Sequence, residues 1–199
     1  EIEGKTRDLL KTERLVLNVM QRMSGISTLS YRYASELQGL STKILDTRKT
    51  TPLNRYIEKW AVRIGGCYNY RNGLYDRYMI KDNHIEACGS ISKSIKAVLK
   101  HQEETNRKDY EITIEVKNLV ELEEVLNIGK INRIMFDNFE IPLLKEAILM
   151  TKKRFETEAS GGVNLETLRQ IALTGVDFIS VGALTHSAGS LDLSLKIHR

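Results

Sequence analysis

Two segments near the C-terminal end carry glycine where anion chemistry would need it. ASGGVN (159–164) and SVGALTHS (180–187) each set glycine directly after an apolar, strand-like run and before helical or turn sequence. Glycine lets a backbone approach an oxyanion closely, and the free N–H groups at a helix start are ready donors to phosphate. Ser160, Gly161, Gly162, Gly182, Ala183 and His186 are therefore candidate phosphate-binding residues. Tight turns alone would also use these glycines. Their pairing at the last two strand–loop junctions favours phosphate, because barrel folds commonly hold phosphate there. Glu115 and Asp137 each end an apolar run. Two carboxylates on one rim would hold Mg²⁺ beside a polyphosphate or accept from sugar hydroxyls, although a lone strand-end acid more often caps a loop.

The cations complete the pattern. ILDTRKTTP (44–52) sends Arg48 and Lys49 out of a strand end, NYRNGLYD (69–76) offers Arg71, and MIKDNH (79–84) offers Lys81. Arginine grips carboxylate or phosphate as a fork and lysine supplies a point charge. Lys81 closes an apolar strand, where an ammonium is costly unless it meets an anion. Lys43, Lys59 and Arg77 read instead as a solvated rim, and His84 as an ordinary hydrogen-bonding residue. His186 gains weight from its place in a glycine loop.

Between Lys43 and Lys81 nine cations face three anions, spread over several elements rather than run together as a tail. With a formal charge of +4, that distribution favours a small polyanionic ligand. A nucleic-acid stripe is disfavoured because the cations converge on strand ends. Cys67 and Cys88 form no CxxC pair and no zinc spacing, so two reduced thiols in the cytoplasm are expected. No signal peptide or membrane-spanning apolar run is visible. The chain opens on Glu1 rather than Met, which fits a fragment, a processed product or a trimmed form.

Positioning these residues requires regular elements. Leu9, Leu10, Leu15, Leu17, Val19, Met20 and Met23 recur at helical spacing through a long helix over about residues 5–39, softening near 24–27. Strands are expected at 41–46, 77–82, 110–116, 131–137, 155–162, 176–183 and 191–197, with helices at 56–64, 90–104, 118–128, 141–150 and 164–173. Such alternation implies parallel βαβ units. A doubly wound sheet or a barrel would satisfy it. A barrel is favoured because chemistry-capable residues end nearly every strand, and an incomplete one because too few strands are visible. The expected organisation is a helical segment over 1–40, leading into the barrel and a dimer interface, then an α/β barrel over 41–199.

Taken in order, ERLVLNVMQRMSGIST (13–28), ILDTRKTTP (44–52), KWAVRIGG (59–66), NGLYDRYMIKDNH (72–84), EASGGVN (158–164) and GVDFISVGALTHSAGSLDLSL (175–195) resemble the quinolinate phosphoribosyltransferases, or carboxylating nicotinate-nucleotide pyrophosphorylases. The resemblance implies a seven-stranded incomplete parallel α/β barrel, a homodimer and Mg²⁺. It also implies a reaction in NAD biosynthesis: quinolinate and phosphoribosyl pyrophosphate give nicotinate mononucleotide, pyrophosphate and CO2. Arg48, Lys49, Arg71 and Lys81 would hold the quinolinate carboxylates and the pyrophosphate, with Lys49 assisting its departure. Arg14 would reach the partner subunit's substrate. Glu115 and Asp137 would serve the ribose hydroxyls and the metal, and the glycine-loop residues, including Ser160, Gly161, Gly182 and His186, the 5′-phosphate.

Three positions depart from the family pattern. Tyr70 stands beside Arg71 where a His is usual, Leu53 replaces a glycine after TTP, and Cys67 the third glycine of a GGG run. The resemblance also implies an N-terminal α/β sandwich domain of roughly a hundred residues, which these 199 residues are not expected to include. The alternatives are a related phosphoribosyltransferase-like protein with another anionic substrate, or a catalytically impaired, truncated relative.

Overall fold

The computed structural model describes residues 2–197; Glu1 and residues 198–199, the outer ends of the two expected segments, lie outside the described residues. The first element is α1 (Thr6–Glu36), which runs without interruption. The softening expected near 24–27 does not occur. Gly25 is buried, and a Cβ there would meet the Gly189 carbonyl oxygen at 1.7 Å, so this glycine serves the close passage of the C-terminal segment.

Six strands follow: β1 (Lys43–Leu45), β2 (Tyr78–Ile80), β3 (Ile112–Val116), β4 (Arg133–Asp137), β5 (Glu156–Ser160) and β6 (Phe178–Ser180). They form one sheet in the order β1-β6-β5-β4-β3-β2, every neighbouring pair parallel. A seventh strand position lies beyond β1, reduced to one parallel bridge between Leu45 and Tyr68. The Tyr68 N–H donates to the Ile44 carbonyl at 2.8 Å, and the Asp46 N–H to the Tyr68 carbonyl at 2.9 Å. Among the described residues no ladder joins this segment to β2. An incomplete barrel results.

The strand expected over 191–197 is not formed. Gly189 and Ser190 pass close over Gly25 of α1 and the Leu191 N–H donates to the Gln21 carbonyl, which directs this alternating sequence onto that helix instead of a sheet edge.

Around the sheet lie α2 (Arg55–Ile64), α3 (Asp82–Cys88), α4 (Ile91–Glu104), α5 (Leu119–Ile128), α6 (Ile141–Thr151), α7 (Leu165–Ala172) and the short α8 (Ala183–His186). Ser90, Asn118 and Asn164 cap α4, α5 and α7 by accepting from first-turn N–H groups. Ile112, Ile114, Ile134, Phe136 and Ile179 of the strands pack with Ile95, Leu122, Leu144 and Leu168 of the helices. No helix among the described residues is long and apolar enough to cross a membrane.

The other face of the strands is also buried, but polar. β3 is buried at all five positions, so its alternation separates the helix layer from the barrel lumen rather than from water. Within the lumen Arg133 donates to Glu158 at 3.2 Å and Ser180 donates to Glu158 at 2.5 Å, while Arg133 also reaches the exposed Glu156, at the start of β5, at 2.8 Å. The Arg133 guanidinium lies 3.8 Å from the Phe178 ring centre and 5.2 Å from that of Tyr70. Burial pushes the Glu158 carboxyl up, against the pull of Ser180 and Arg133. Burial pulls Arg133 down, but Glu158 and Glu156 outweigh it and hold the guanidinium above its ordinary value. This charged plug floors the cavity above it.

Candidate functional site

A cavity of about 860 Å³ opens at the C-terminal ends of the strands, where barrel chemistry resides. Every expected site residue except Glu115 and Arg14 lines it. Arg48 and Lys49 enter from the loop after β1, Tyr70 and Arg71 from the bridged segment, and Lys81 from the end of β2. Asp137 comes from β4, Ser160, Gly161 and Gly162 from β5, and Gly182, Ala183 and His186 from the β6–α8 junction.

The first cation loop is tightly held. Thr185 donates to the Lys49 carbonyl at 2.8 Å, and Glu58, buried on α2, accepts from the Thr51 N–H at 3.0 Å. Arg22 of α1 pairs with Glu58 and also donates to the Thr185 and Ala188 carbonyls. One guanidinium thereby joins the Arg48–Lys49 loop to the α8 junction. Sequence reasoning missed Arg22 and Glu58. The signal was Glu58 sharing the 58, 61, 62, 65 helical stripe with Ala61, Val62 and Gly65, all of them buried.

The side chains of Arg48, Lys49 and Arg71 have no hydrogen-bond or ion-pair partner among the described residues. Burial, reinforced by the neighbouring Arg48 charge, holds the Arg71 guanidinium below its ordinary value. An arriving anion would relieve that strain. Lys81 differs. Its ammonium meets Glu115 at 2.7 Å, so Glu115 sits behind Lys81 rather than in the cavity wall.

Asp137 is the acid that lines the cavity among the described residues, and its carboxylate accepts from Asn138 at 3.0 Å. No group of three metal-capable side chains is found among the described residues. One carboxylate beside a cation-lined cavity fits Mg²⁺ bound largely through substrate phosphates, the habit of that ion, and does not fit an all-protein cage.

The glycine loops are shaped for close approach. Gly161 has φ +96°, and a Cβ there would lie 2.2 Å from Asn138 Oδ1. At Gly182 a Cβ would meet His186 Nε2 at 3.0 Å and Lys49 Cδ at 3.2 Å, so the missing side chain lets those groups converge. The first N–H groups of α7 are already taken by Asn164, which leaves the turn at Ser160, Gly161 and Gly162 as the donor surface there.

Tyr70 forms part of the floor. Burial, with Glu158 nearby, pushes its phenol up to about 12, so it stays neutral at pH 7. Its hydroxyl pairs with Thr113 at 2.7 Å. His84 accepts from the Lys81 N–H and caps α3, as an ordinary hydrogen-bonding residue would. Two rim assignments need correction. Lys59 is buried against Asp46, because α2 turns that side inward. Arg77 is half-buried, paired with Glu111 and stacked on Tyr70. Lys43 is exposed, as expected.

Known proteins resemble this chain in sequence and fold. Residues 26–196 match the family described as quinolinate phosphoribosyl transferase, C-terminal domain. The chain is 46% identical to quinolinate phosphoribosyltransferase [decarboxylating] 1b of Nicotiana tabacum, over 99% of its own length and 59% of that relative's. It is 45% identical to a probable nicotinate-nucleotide pyrophosphorylase [carboxylating] of Bacillus subtilis, covering 66% of it. The crystal structure of NadC from Streptococcus pyogenes superposes with a TM-score of 0.87 at 39% identity, over 97% of this chain and 66% of that one. The chain thus spans about three-fifths of the tobacco relative. On sequence and fold together, it belongs to the quinolinate phosphoribosyltransferase family.

Proposed function

We propose that the protein transfers the phosphoribosyl group of phosphoribosyl pyrophosphate to quinolinate, releasing pyrophosphate and CO2 and forming nicotinate mononucleotide for NAD biosynthesis. The observation that carries this reading is the convergence of Arg48, Lys49 and Arg71, without acid partners among the described residues, on one cavity with the Ser160–Gly162 and Gly182 turns. A dicarboxylate plus a pyrophosphate needs such a surplus of positive charge.

Arg48 and Arg71 would grip the quinolinate carboxylates and turn the ring nitrogen towards ribose C1. Lys49, beside Gly182 and His186, would neutralise the departing pyrophosphate as the C1–O bond breaks. The N–H groups of residues 160–162 and 182–183, with His186, would anchor the 5′-phosphate. Asp137 would accept from ribose hydroxyls and act as a protein ligand to Mg²⁺, whose charge assists the leaving group. Glu115 would hold Lys81 in place at the substrate carboxylates. Ribosylation makes the ring nitrogen cationic, and that charge stabilises the carbanion left by CO2, which then takes a proton from water to give the product C–H. Positioning and charge would then supply most of the catalysis.

A homodimer belongs to the same reading. Arg14 lies in the exposed N-terminal half of α1, where Leu10, Leu15, Val16 and Met20 are exposed around the helix, an apolar surface suited to a second subunit whose cavity Arg14 would complete. The two free cysteines suit a cytoplasmic location.

The test is pyrophosphate release, on this chain and on this chain joined to the N-terminal part of the Bacillus subtilis relative. Release requiring both substrates, with CO2 formed in equal amount, is expected. Release that ignores quinolinate, or serves nicotinate equally well, would refute the assignment.

A further inference from the structure

Asp46 has no place in the chemistry above, yet it ends β1 wholly buried. Its carboxylate gathers three donors. Lys59 of α2, itself buried, binds Oδ1. The Tyr70 N–H donates to the same oxygen at 2.7 Å. The Asn69 side-chain amide, in its hydrogen-bonded orientation, donates to Oδ2 at 2.8 Å. One side chain thus links the strand that launches Arg48 and Lys49 to the segment that carries Arg71.

That link matters because ordinary sheet pairing is nearly absent there. The segment around Tyr68 touches β1 through one bridge and has no ladder on its other side among the described residues. The Arg48–Lys49 loop has independent anchors in Thr185 and Glu58. In residues 69–71 the Tyr70 ring is held through its hydroxyl by Thr113, and Asn69 also donates to the Lys59 carbonyl, but the Tyr70 N–H that precedes Arg71 is held by Asp46. We infer that Asp46, clamped by Lys59, is the positioning residue that fixes Arg71 relative to Arg48, and so sets the spacing at which the site reads a dicarboxylate. The inference rests on the proposed substrate in one readout only.

The test uses paired substitutions, so that no lone charge is left buried. Asp46→Ala with Lys59→Met removes every acceptor at position 46. Asp46→Asn with Lys59→Met keeps one acceptor for the Tyr70 N–H. In the folded alanine variant, hydrogen exchange at the Tyr70 amide should quicken about tenfold or more. Quinolinate binding by calorimetry should weaken by about 10–100-fold, with inorganic phosphate binding unchanged. The asparagine variant should recover most of both losses, and it carries the test alone if the alanine variant does not fold. Wild-type exchange and binding in the alanine variant, or full loss in a folded asparagine variant, would overturn the inference. Should the unsubstituted chain not bind quinolinate at all, the substrate assignment falls, while the Tyr70 amide still reports on Asp46.

Discussion

Gly161→Ala separates the proposed anion-binding role of the β5 turn from its role in the fold. The new Cβ would fall 2.2 Å from Oδ1 and 2.4 Å from Cγ of Asn138. Those atoms end an exposed side chain that can swing aside, so the clash need not break the fold. Two costs remain. The left-handed backbone at φ +96° strains any side-chain-bearing residue, by about 1–2 kcal/mol. Asn138 also gives up its bond to Asp137. Melting should therefore fall by about 2–8 °C for a domain of this size. Affinity for phosphoribosyl pyrophosphate should drop about tenfold or more, equal to about 1.4 kcal/mol, because both the donor turn and the cavity acid are disturbed. Calorimetry and thermal melting on Gly161→Ala, Asn138→Ala and the double variant decide the matter. In the Asn138→Ala background the glycine substitution should cost only its backbone strain and little further affinity. Wild-type affinity in Gly161→Ala, at whatever melting temperature, would show that this turn does not take the phosphate.

The lumen plug makes its own forecast: Glu158→Ala leaves the buried Arg133 guanidinium with Glu156 alone, and urea unfolding should show a loss of about 3–5 kcal/mol. A loss below about 1 kcal/mol would mean the pair behaves as a surface one. Burial pushes the Asp46 carboxyl up to about 6 from its ordinary 3.8, despite Lys59 and the Tyr70 N–H. A folded value above the unfolded one means the fold binds that proton more tightly. The unfavourable contribution is therefore fully present above pH 6 and is relieved as pH falls towards 3.8. Against Asp46→Asn, which takes no proton, the wild-type chain should gain relative stability between about pH 7.5 and 5; a constant difference would contradict this. For the dimer, mixing Arg14→Ala with Lys49→Ala subunits should restore activity well above either parent, whereas an assayable, stably mixed pair without recovery would refute shared sites.

Much of the barrel is legible in the sequence because its strands alternate with helices at regular pitch. ITIEV and RIMFD reveal their elements, and Asn164 with Gly175 brackets α7. Short-range pattern could not distinguish lumen from solvent on the second face of β3, so the Arg133–Glu158 plug stayed hidden. Alternation at 191–197 predicts a strand, but Gly189–Leu191 dock on α1 and carry the segment away from the sheet. α2 misleads for a related reason: Tyr56, Trp60 and Ile64 are exposed, whereas Glu58 and Lys59 are buried against Arg22 and Asp46. The cavity residues were readable because glycine, arginine and lysine at strand ends have few structural uses. Asp46 is readable as a chemistry-capable strand end, but its supporting role, like Arg22 itself, is not, since the partners of both are distant in sequence.

The most direct test of the site is quinolinate affinity, measured by calorimetry on the folded chain with nicotinate as comparator and Arg71→Ala as control. Two convergent guanidinium groups predict that quinolinate, with two carboxylates, binds far more tightly than nicotinate. Arg71→Ala should weaken quinolinate by about 2–5 kcal/mol and erase most of that preference. Equal affinity for the two acids, or an Arg71→Ala variant that still prefers quinolinate as the wild-type chain does, would contradict a site built to read a dicarboxylate.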